Sequence, residues 1–310
     1  MHIFYSDVFV LPLPDGHRFP MRKYSLLRDR VAGAGLVAGD DVLVPPAASL
    51  QDLHRVHDPD YVRRVFEGAL TDREQRRIGF PWSPALVARS CQSAGGTIAA
   101  CKSALTDGGS VNLAGGTHHA YRDHGQGFCV FNDVAVAARA MQAEGLARRI
   151  VMIDCDVHQG NGTAAIFSTD PSVFTFSIHG ANNFPFHKES SDLDVALPDG
   201  AGDDYYLAAL QDSLAQLAMP DFDLAIYLAG ADPFIDDTLG RLAMSKEGLV
   251  ARDHMVFEAC LAANLPVAVV MAGGYARRIE DIVDIHFATV RAAGDLHSRT
   301  RLVAATTAYV

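Results

Sequence analysis

The chain is poor in several things, and each shortage excludes something. It has five cysteines, Cys91, Cys101, Cys129, Cys155 and Cys260. The number is odd and no two are spaced C-x-x-C, so neither a disulfide framework nor a zinc ribbon follows, and a reducing cytoplasm is the expected location. Positive charge is also scarce: 26 Lys and Arg stand against 37 Asp and Glu, for a net charge of −11. Without a basic face to neutralise phosphates, general nucleic-acid binding is not expected, and acidity of this size favours cationic substrates. No apolar run reaches the length of a membrane span. The N-terminus MHIFYSDVFVLPLP has no basic stretch before Pro12 and Pro14, so no signal peptide is expected. Internal repeats and low-complexity tracts are missing too.

What remains is a chain of 310 residues, 49% hydrophobic and 20% charged, with the composition of a globular protein carrying a sizeable core. No linker divides it, so one domain over residues 1–310 is expected. The segment Arg149 to Gly162, RIVMIDCDVHQGNG, begins as a buried strand and ends in polar groups and glycines. Side chains two apart on a strand point the same way, which predicts Asp154, Asp156 and His158 on one face and Ile153, Cys155 and Val157 on the other. Carboxylate plus imidazole at a strand end is a ligand set for a divalent metal. The alternative is structural, with Asp156 or Asn161 serving only as the N-cap of the next helix.

The rest of the chain alternates. Strands are predicted at His2–Tyr5, Val111–Ala114, Val173–Ile178, Leu224–Leu228 and Pro266–Met271. Helices are predicted from near Met21, from Pro59 behind an Asp58 cap, from Ser83 to Leu105, Asn132 to Glu144, up to Phe167, up to Leu217, Ser245 to Ala263, and after Tyr275. Residues 180–202 read as a loop, and Trp82, the only tryptophan, reads as a packing residue. Strand and helix alternation predicts an α/β fold with a central, mostly parallel sheet covered by helices on both faces. Polar clusters then fall at strand ends: His118 and His119, Asp156 and His158, Asp232, and Gly273-Gly274-Tyr275. In a parallel sheet these ends share one edge, the usual place for an active site.

Asp156, His158 and Asp232 supply three ligands and leave a position open for water or substrate, as catalytic zinc requires; Fe²⁺ or Co²⁺ also suits an oxygen-rich set. His118 and His119 are candidates for acid and base. Asp154 favours an imidazolium and Asn161 does not, which makes His119, opposite Asn161, the better base. Tyr275 is placed to donate to a developing oxyanion, with Gly273 and Gly274 as hinge residues.

The motifs GGTHHA, GQGFCVFND, IDCDVHQGNGT, AGADP and AGGY, in this order, resemble those of the zinc-dependent histone deacetylase family within the arginase/deacetylase superfamily. The version around Asn161 is similar to the class IV branch and its bacterial relatives. This resemblance implies a hydrolase that removes acyl groups from the ε-amine of lysine or a similar amine, with the ligands on Asp156, His158 and Asp232, the paired histidines on His118 and His119, and the tyrosine on Tyr275. It further implies an acyl-lysine tunnel walled by Gly127, Phe128 and Phe184, with a floor near Met21, Arg22 and Gly115, and a structural K⁺ site using Asp154 and Ser177. The aspartate that grips peptide backbone in many members has no match around Arg76–Trp82, so an acylated polyamine or small amide is an alternative substrate. A dinuclear arginase-like enzyme would need carboxylates where Gly160 and Phe234 stand. A non-catalytic acyl-lysine binder would lack one of the proton carriers that are all present here. Acyl chain length and oligomeric state are not fixed by the sequence.

Overall fold

In the computed structural model, residues 1–36 and 42–307 are described, the side chains of 300–307 excepted. Eight parallel strands form one sheet: β1 (Ile3–Phe4), β2 (Val42–Leu43), β3 (Gly109–Asn112), β4 (Ile150–Asp154), β5 (Val173–Gly180), β6 (Leu193–Leu197), β7 (Leu224–Leu228) and β8 (Val267–Val270). Their order across the sheet is β2-β1-β3-β8-β7-β4-β5-β6. The central strands IVMID, LAIYL and VAVV are buried at every residue. That is why they read as unbroken apolar runs: a strand covered by helices on both faces has no solvent side to alternate with.

The helices are α1 (Lys23–Gly33), α2 (Leu50–His54), α3 (Pro59–Glu67), α4 (Asp72–Ile78), α5 (Pro84–Asp107), α6 (Asp133–Ala143), α7 (Asn161–Phe167), α8 (Asp203–Gln216), α9 (Lys246–Ala262) and α10 (Ile279–Thr307). One layer packs α5 against α6 with α2 and α7 alongside, and the other packs α1, α9 and α8 around α10 and its neighbours. Starts are set by local chemistry. Asp58 accepts from the Asp60 amide ahead of Pro59, Ser83 caps α5, Asn132 caps α6 and Ser245 caps α9. Thr71 and Glu74 form a reciprocal capping box on α4.

Several expectations need correction. The segment 180–202 is not all loop, since β6 lies within it; its half-exposed pattern is that of an edge strand, which gives a weak sequence signal. β3 begins at Gly109, two residues early, because Ser110 and Asn112 are buried polar residues satisfied by helix α5: Ser110 Oγ donates to Ala100 O at 2.5 Å and Asn112 Nδ2 to Ser93 O at 3.2 Å. Helices α2 and α4 and the short β2 form where no element is expected. Trp82, expected as a packed core aromatic, packs against the core but is only half-buried, its Nε1 donating to Val65 O at 2.7 Å. All five cysteines are free and buried, and no described helix is long and apolar enough to cross a membrane.

Because every strand runs the same way, the loops after β3, β4, β5, β7 and β8 leave from one edge. β8, β7 and β4 are adjacent, with Ile226 beside both Met152 and Ala268. Loops carrying residues 117 positions apart are therefore brought together.

Candidate active site

Strand β4 stops at Asp154, so the predicted single face through His158 is not what forms. Residues 155–160 turn instead, and Asp156 Oδ1 accepts the His158 backbone amide at 2.9 Å. Neither Asp156 nor Asn161 caps the next helix: α7 starts behind Gly160 with no side-chain cap. The purely structural alternative therefore fails, and these side chains are free for the site.

Asp156, His158 and Asp232 converge, with one candidate ligand atom from each lying within 4.8 Å of the others. All three are buried. His158 Nδ1 lies 2.9 Å from Asp156 Oδ1 and 3.2 Å from Asp232 Oδ2. The remaining carboxylate oxygens are occupied: Gly273 N donates to Asp156 Oδ2 at 2.6 Å, and Val157 N to Asp232 Oδ1 at 2.9 Å. Among the described residues Asp232 Oδ2 makes no hydrogen bond of good geometry, His158 Nδ1 lying near it but misaligned. A buried carboxylate oxygen without a well-aligned donor, facing a second carboxylate and an imidazole nitrogen, fits a divalent cation well. Gly273 is required there, since a Cβ would fall 1.8 Å from Asp232 Oδ2. Burial and the charge of Asp156 push Asp232 up to about 7. Burial opposes protonation of His158, yet Asp156 and Asp232 outweigh it and raise the imidazole to about 10. A bound divalent cation would replace that proton.

The two adjacent histidines are buried beside this cluster, their ring centroids 4.1 Å apart. His118 Nδ1 meets Asp154 Oδ2 at 2.6 Å. Burial would lower His118, but the charges of Asp154 and Asp156 dominate and raise it to about 9. His119 Nδ1 meets Asn161 Oδ1 at 2.7 Å. Burial, and then the neighbouring His118 and His158, hold His119 well below its ordinary value. The pair is thus divided into an imidazolium and a neutral imidazole.

Tyr275 completes the ring of groups, 6.4 Å from His158 between centroids. Burial first, then Asp156 and Asp232, keep its phenol protonated well above the usual range. Its amide donates to Asp237 at 2.6 Å, and its hydroxyl makes no hydrogen bond to the described residues.

A mouth of about 760 Å³ leads down to His119, His158 and Tyr275 past Gly127, Phe128 and Phe184. Phe184 stands edge-on to His119 at 4.9 Å. Gly127 lies in the gap, φ +56°, where a Cβ would come within 2.7 Å of His119 and 3.1 Å of Phe184. A cavity of about 30 Å³ at the site itself, lined by His118, His119, Asp156, His158 and Tyr275, is closed by Phe19, Tyr24, Arg89 and Gly115. Met21 and Arg22 do not line it; the floor expected there is built by Phe19, Tyr24 and Arg89 instead. Asp154 and Ser177 are register partners on β4 and β5 and line a small cavity of about 10 Å³, the place expected for a monovalent cation.

Sequence reasoning missed three buried cations. Arg89 donates to Phe9 O at 3.0 Å and Tyr24 OH at 3.1 Å. Lys23 Nζ reaches Ala272 O and Gly274 O, both at 3.4 Å. Arg252 donates to Gly230 O at 2.6 Å and Cys155 O at 3.3 Å, tying the two ligand-bearing loops to one guanidinium. Their only signal was a basic residue inside an otherwise apolar helix face, which is weak.

A histone deacetylase domain model matches residues 17–290. The chain belongs to the histone deacetylase family. It is 47% identical to an uncharacterised protein of Picosynechococcus over 95% of this chain and 99% of that one. It is 30% identical to a histone deacetylase-like amidohydrolase of Pseudomonas aeruginosa, covering 85% of this chain and 74% of the relative. A human polyamine deacetylase matches at 33% identity over 80% of this chain and 40% of its own length. The solved HDA15 HD domain superposes with a TM-score of 0.79 at 23% identity, over 97% of this chain and 92% of that one, and so shares the fold. Family membership carries amide-hydrolysing deacylase chemistry. The eight-stranded parallel sheet with helices on both faces is the deacetylase architecture.

Proposed function

We propose that this histone deacetylase family member is a zinc-dependent amidohydrolase that removes acetyl or other acyl groups from the ε-amine of lysine in proteins or peptides. The observation that carries this reading is the convergence of Asp156, His158 and Asp232 with two differently tuned histidines and a free tyrosine hydroxyl at the foot of a phenylalanine-lined passage. Bound zinc would lower the pKa of a water and polarise the acyl carbonyl.

The protein's own groups then divide the work. Phe128 and Phe184 accept the methylene stem of the lysine, which is apolar up to its amide. Nδ1 of His119 carries its proton toward Asn161 Oδ1, so Nε2 keeps a lone pair and takes the proton of the attacking water. His118, held as imidazolium by Asp154, gives a proton to the departing amine. Tyr275 donates its hydroxyl to the carbonyl oxygen as negative charge builds there.

The test is acetate release from an acyl-lysine peptide by the zinc-loaded protein, with a chelated sample alongside. Tyr275→Phe and His119→Ala should each lower kcat by about 10²–10³ with the fold intact. Unchanged turnover in both variants would reject these roles, and turnover indifferent to chelation would reject the metal.

A further inference from the structure

The net charge of −11 points to cationic substrates, but the charge at the mouth has the other sign. Its lining includes Arg18, Arg76, Arg77 and Arg241 and no carboxylate. These arginines come from three separate segments, each anchored to the passage wall. Gly127 N donates to Arg77 O at 3.1 Å and Phe128 N to Ile78 O at 2.7 Å, so the end of α4 is fixed against the Gly127-Phe128 wall. Next to Arg18, His17 Nε2 donates to Gly79 O at 2.9 Å. Arg241 N donates to Asn183 Oδ1 at 3.2 Å, beside Phe184.

Arg18, Arg76 and Arg77 are exposed and make no ion pair among the described residues. Arg241 shares a surface pair with Asp199 at 3.2 Å. Asp237, on the Thr238–Arg241 side of the mouth, is buried and its oxygens accept the amides of Leu239, Gly240 and Tyr275. His17 is held on both sides, Nδ1 accepting from Phe19 N at 3.1 Å and Nε2 donating to Gly79 O. Unpaired guanidiniums around an opening favour carboxylates, which they grip in bidentate fashion, and repel cations.

We propose that the physiological substrate presents its acyl-lysine within an acidic peptide segment, whose flanking carboxylates are received by Arg18, Arg76, Arg77 and Arg241. This rests on the deacylase reading above. The negative charge belongs outside the passage, because the walls that meet the lysine stem are phenyl rings. A mouth of about 760 Å³ with arginines on three segments suits several side chains of a peptide rather than one small anion. Acylated polyamines and strongly basic tails meet like charge here, which disfavours them.

The test uses fluorescence anisotropy on the zinc-loaded full chain. Three peptides of equal length each carry one Nε-acetyl-lysine, flanked by Asp and Glu, by Ser and Ala, or by Lys and Arg; N-acetylspermidine serves as competitor. The acidic peptide is expected to bind about tenfold or more tighter than the basic one at low salt, the gap narrowing as salt rises. Arg76→Ala combined with Arg77→Ala should remove most of that gap without shifting the melting temperature. Equal affinities, a basic preference, or stronger competition by acetylspermidine would overturn the proposal. Acetate release from the neutral peptide is measured in the same samples: its absence with the acidic preference intact would overturn the deacylase reading and leave the acidic-segment assignment in place.

Discussion

Asn161 turns its carbonyl oxygen, not its amide nitrogen, toward His119 because Tyr121 holds the nitrogen. Asn161 Nδ2 donates to Tyr121 OH at 3.0 Å, and that hydroxyl donates to Glu189 Oε1 at 2.9 Å. The direction of the chain is thus set from the surface inward, and it fixes which imidazole nitrogen of His119 carries the proton. Tyr121→Phe removes the anchor without touching the reacting groups. Turnover is expected to fall roughly threefold to tenfold in kcat with KM little changed, because a residue that only orients the base contributes less than the base itself. Steady-state kinetics on an acyl-lysine peptide checks this.

Asn161→Asp places a carboxylate where His119 now meets a neutral amide. Opposite charge favours the imidazolium, so the pKa of His119, now well below its ordinary value, should rise. The base must be unprotonated to act, and the acid limb of the kcat/KM profile should therefore move to higher pH. A profile of unchanged position would show that Asn161 does not tune this histidine.

Metal binding should release a proton. The carboxylates of Asp156 and Asp232 raise His158 to about 10, so near neutrality the imidazole is protonated until a cation displaces the proton. Titration calorimetry of the chelated protein in buffers of different ionisation enthalpy should report proton release, with affinity falling as pH is lowered. Zinc should also raise the melting temperature, since it binds the folded state preferentially.

Arg252 and Asp253 form a buried pair at 2.8 Å, and Tyr227 and Thr289 also donate to Asp253. Arg252→Met leaves that carboxylate uncompensated, and a loss of about 3–5 kcal/mol of stability is expected. Because the guanidinium also holds Cys155 and Gly230, zinc affinity should fall as well. Chemical denaturation and metal titration read the two effects separately.

His57 is neutral and buried, Nδ1 donating to Tyr121 O at 2.9 Å and Nε2 accepting from Asn132 N at 3.0 Å. Burial lowers its pKa from 6.5 to about 4. Below pH 6.5 the unfolded chain takes up a proton that the folded chain refuses, so stability present above 6.5 is lost progressively as pH falls toward 4 and levels off below. The full effect is on the order of 3 kcal/mol. His57→Gln should flatten this part of the stability curve, whatever it does to the plateau.

The sequence by itself determined the elements that depend on local pattern. The apolar runs of β4, β7 and β8, the cap at Asp58, the helix starts near Ser83, Asn132 and Ser245, and the strand-end clusters are all legible because burial, capping and turn formation act over a few residues. It also points the candidate metal ligands, the histidine pair and Tyr275 to one edge, since a parallel sheet sends all its carboxyl ends the same way. Tertiary structure alone decided what each of these groups meets. The sharp turn after Asp154, the floor built by Phe19, Tyr24 and Arg89, the anchor that Tyr121 gives Asn161, and the arginines gathered at the mouth all join segments far apart in the chain. Net charge could not foretell the sign of the field at the opening, because a sum over all residues says nothing about where the chain carries each of them in space.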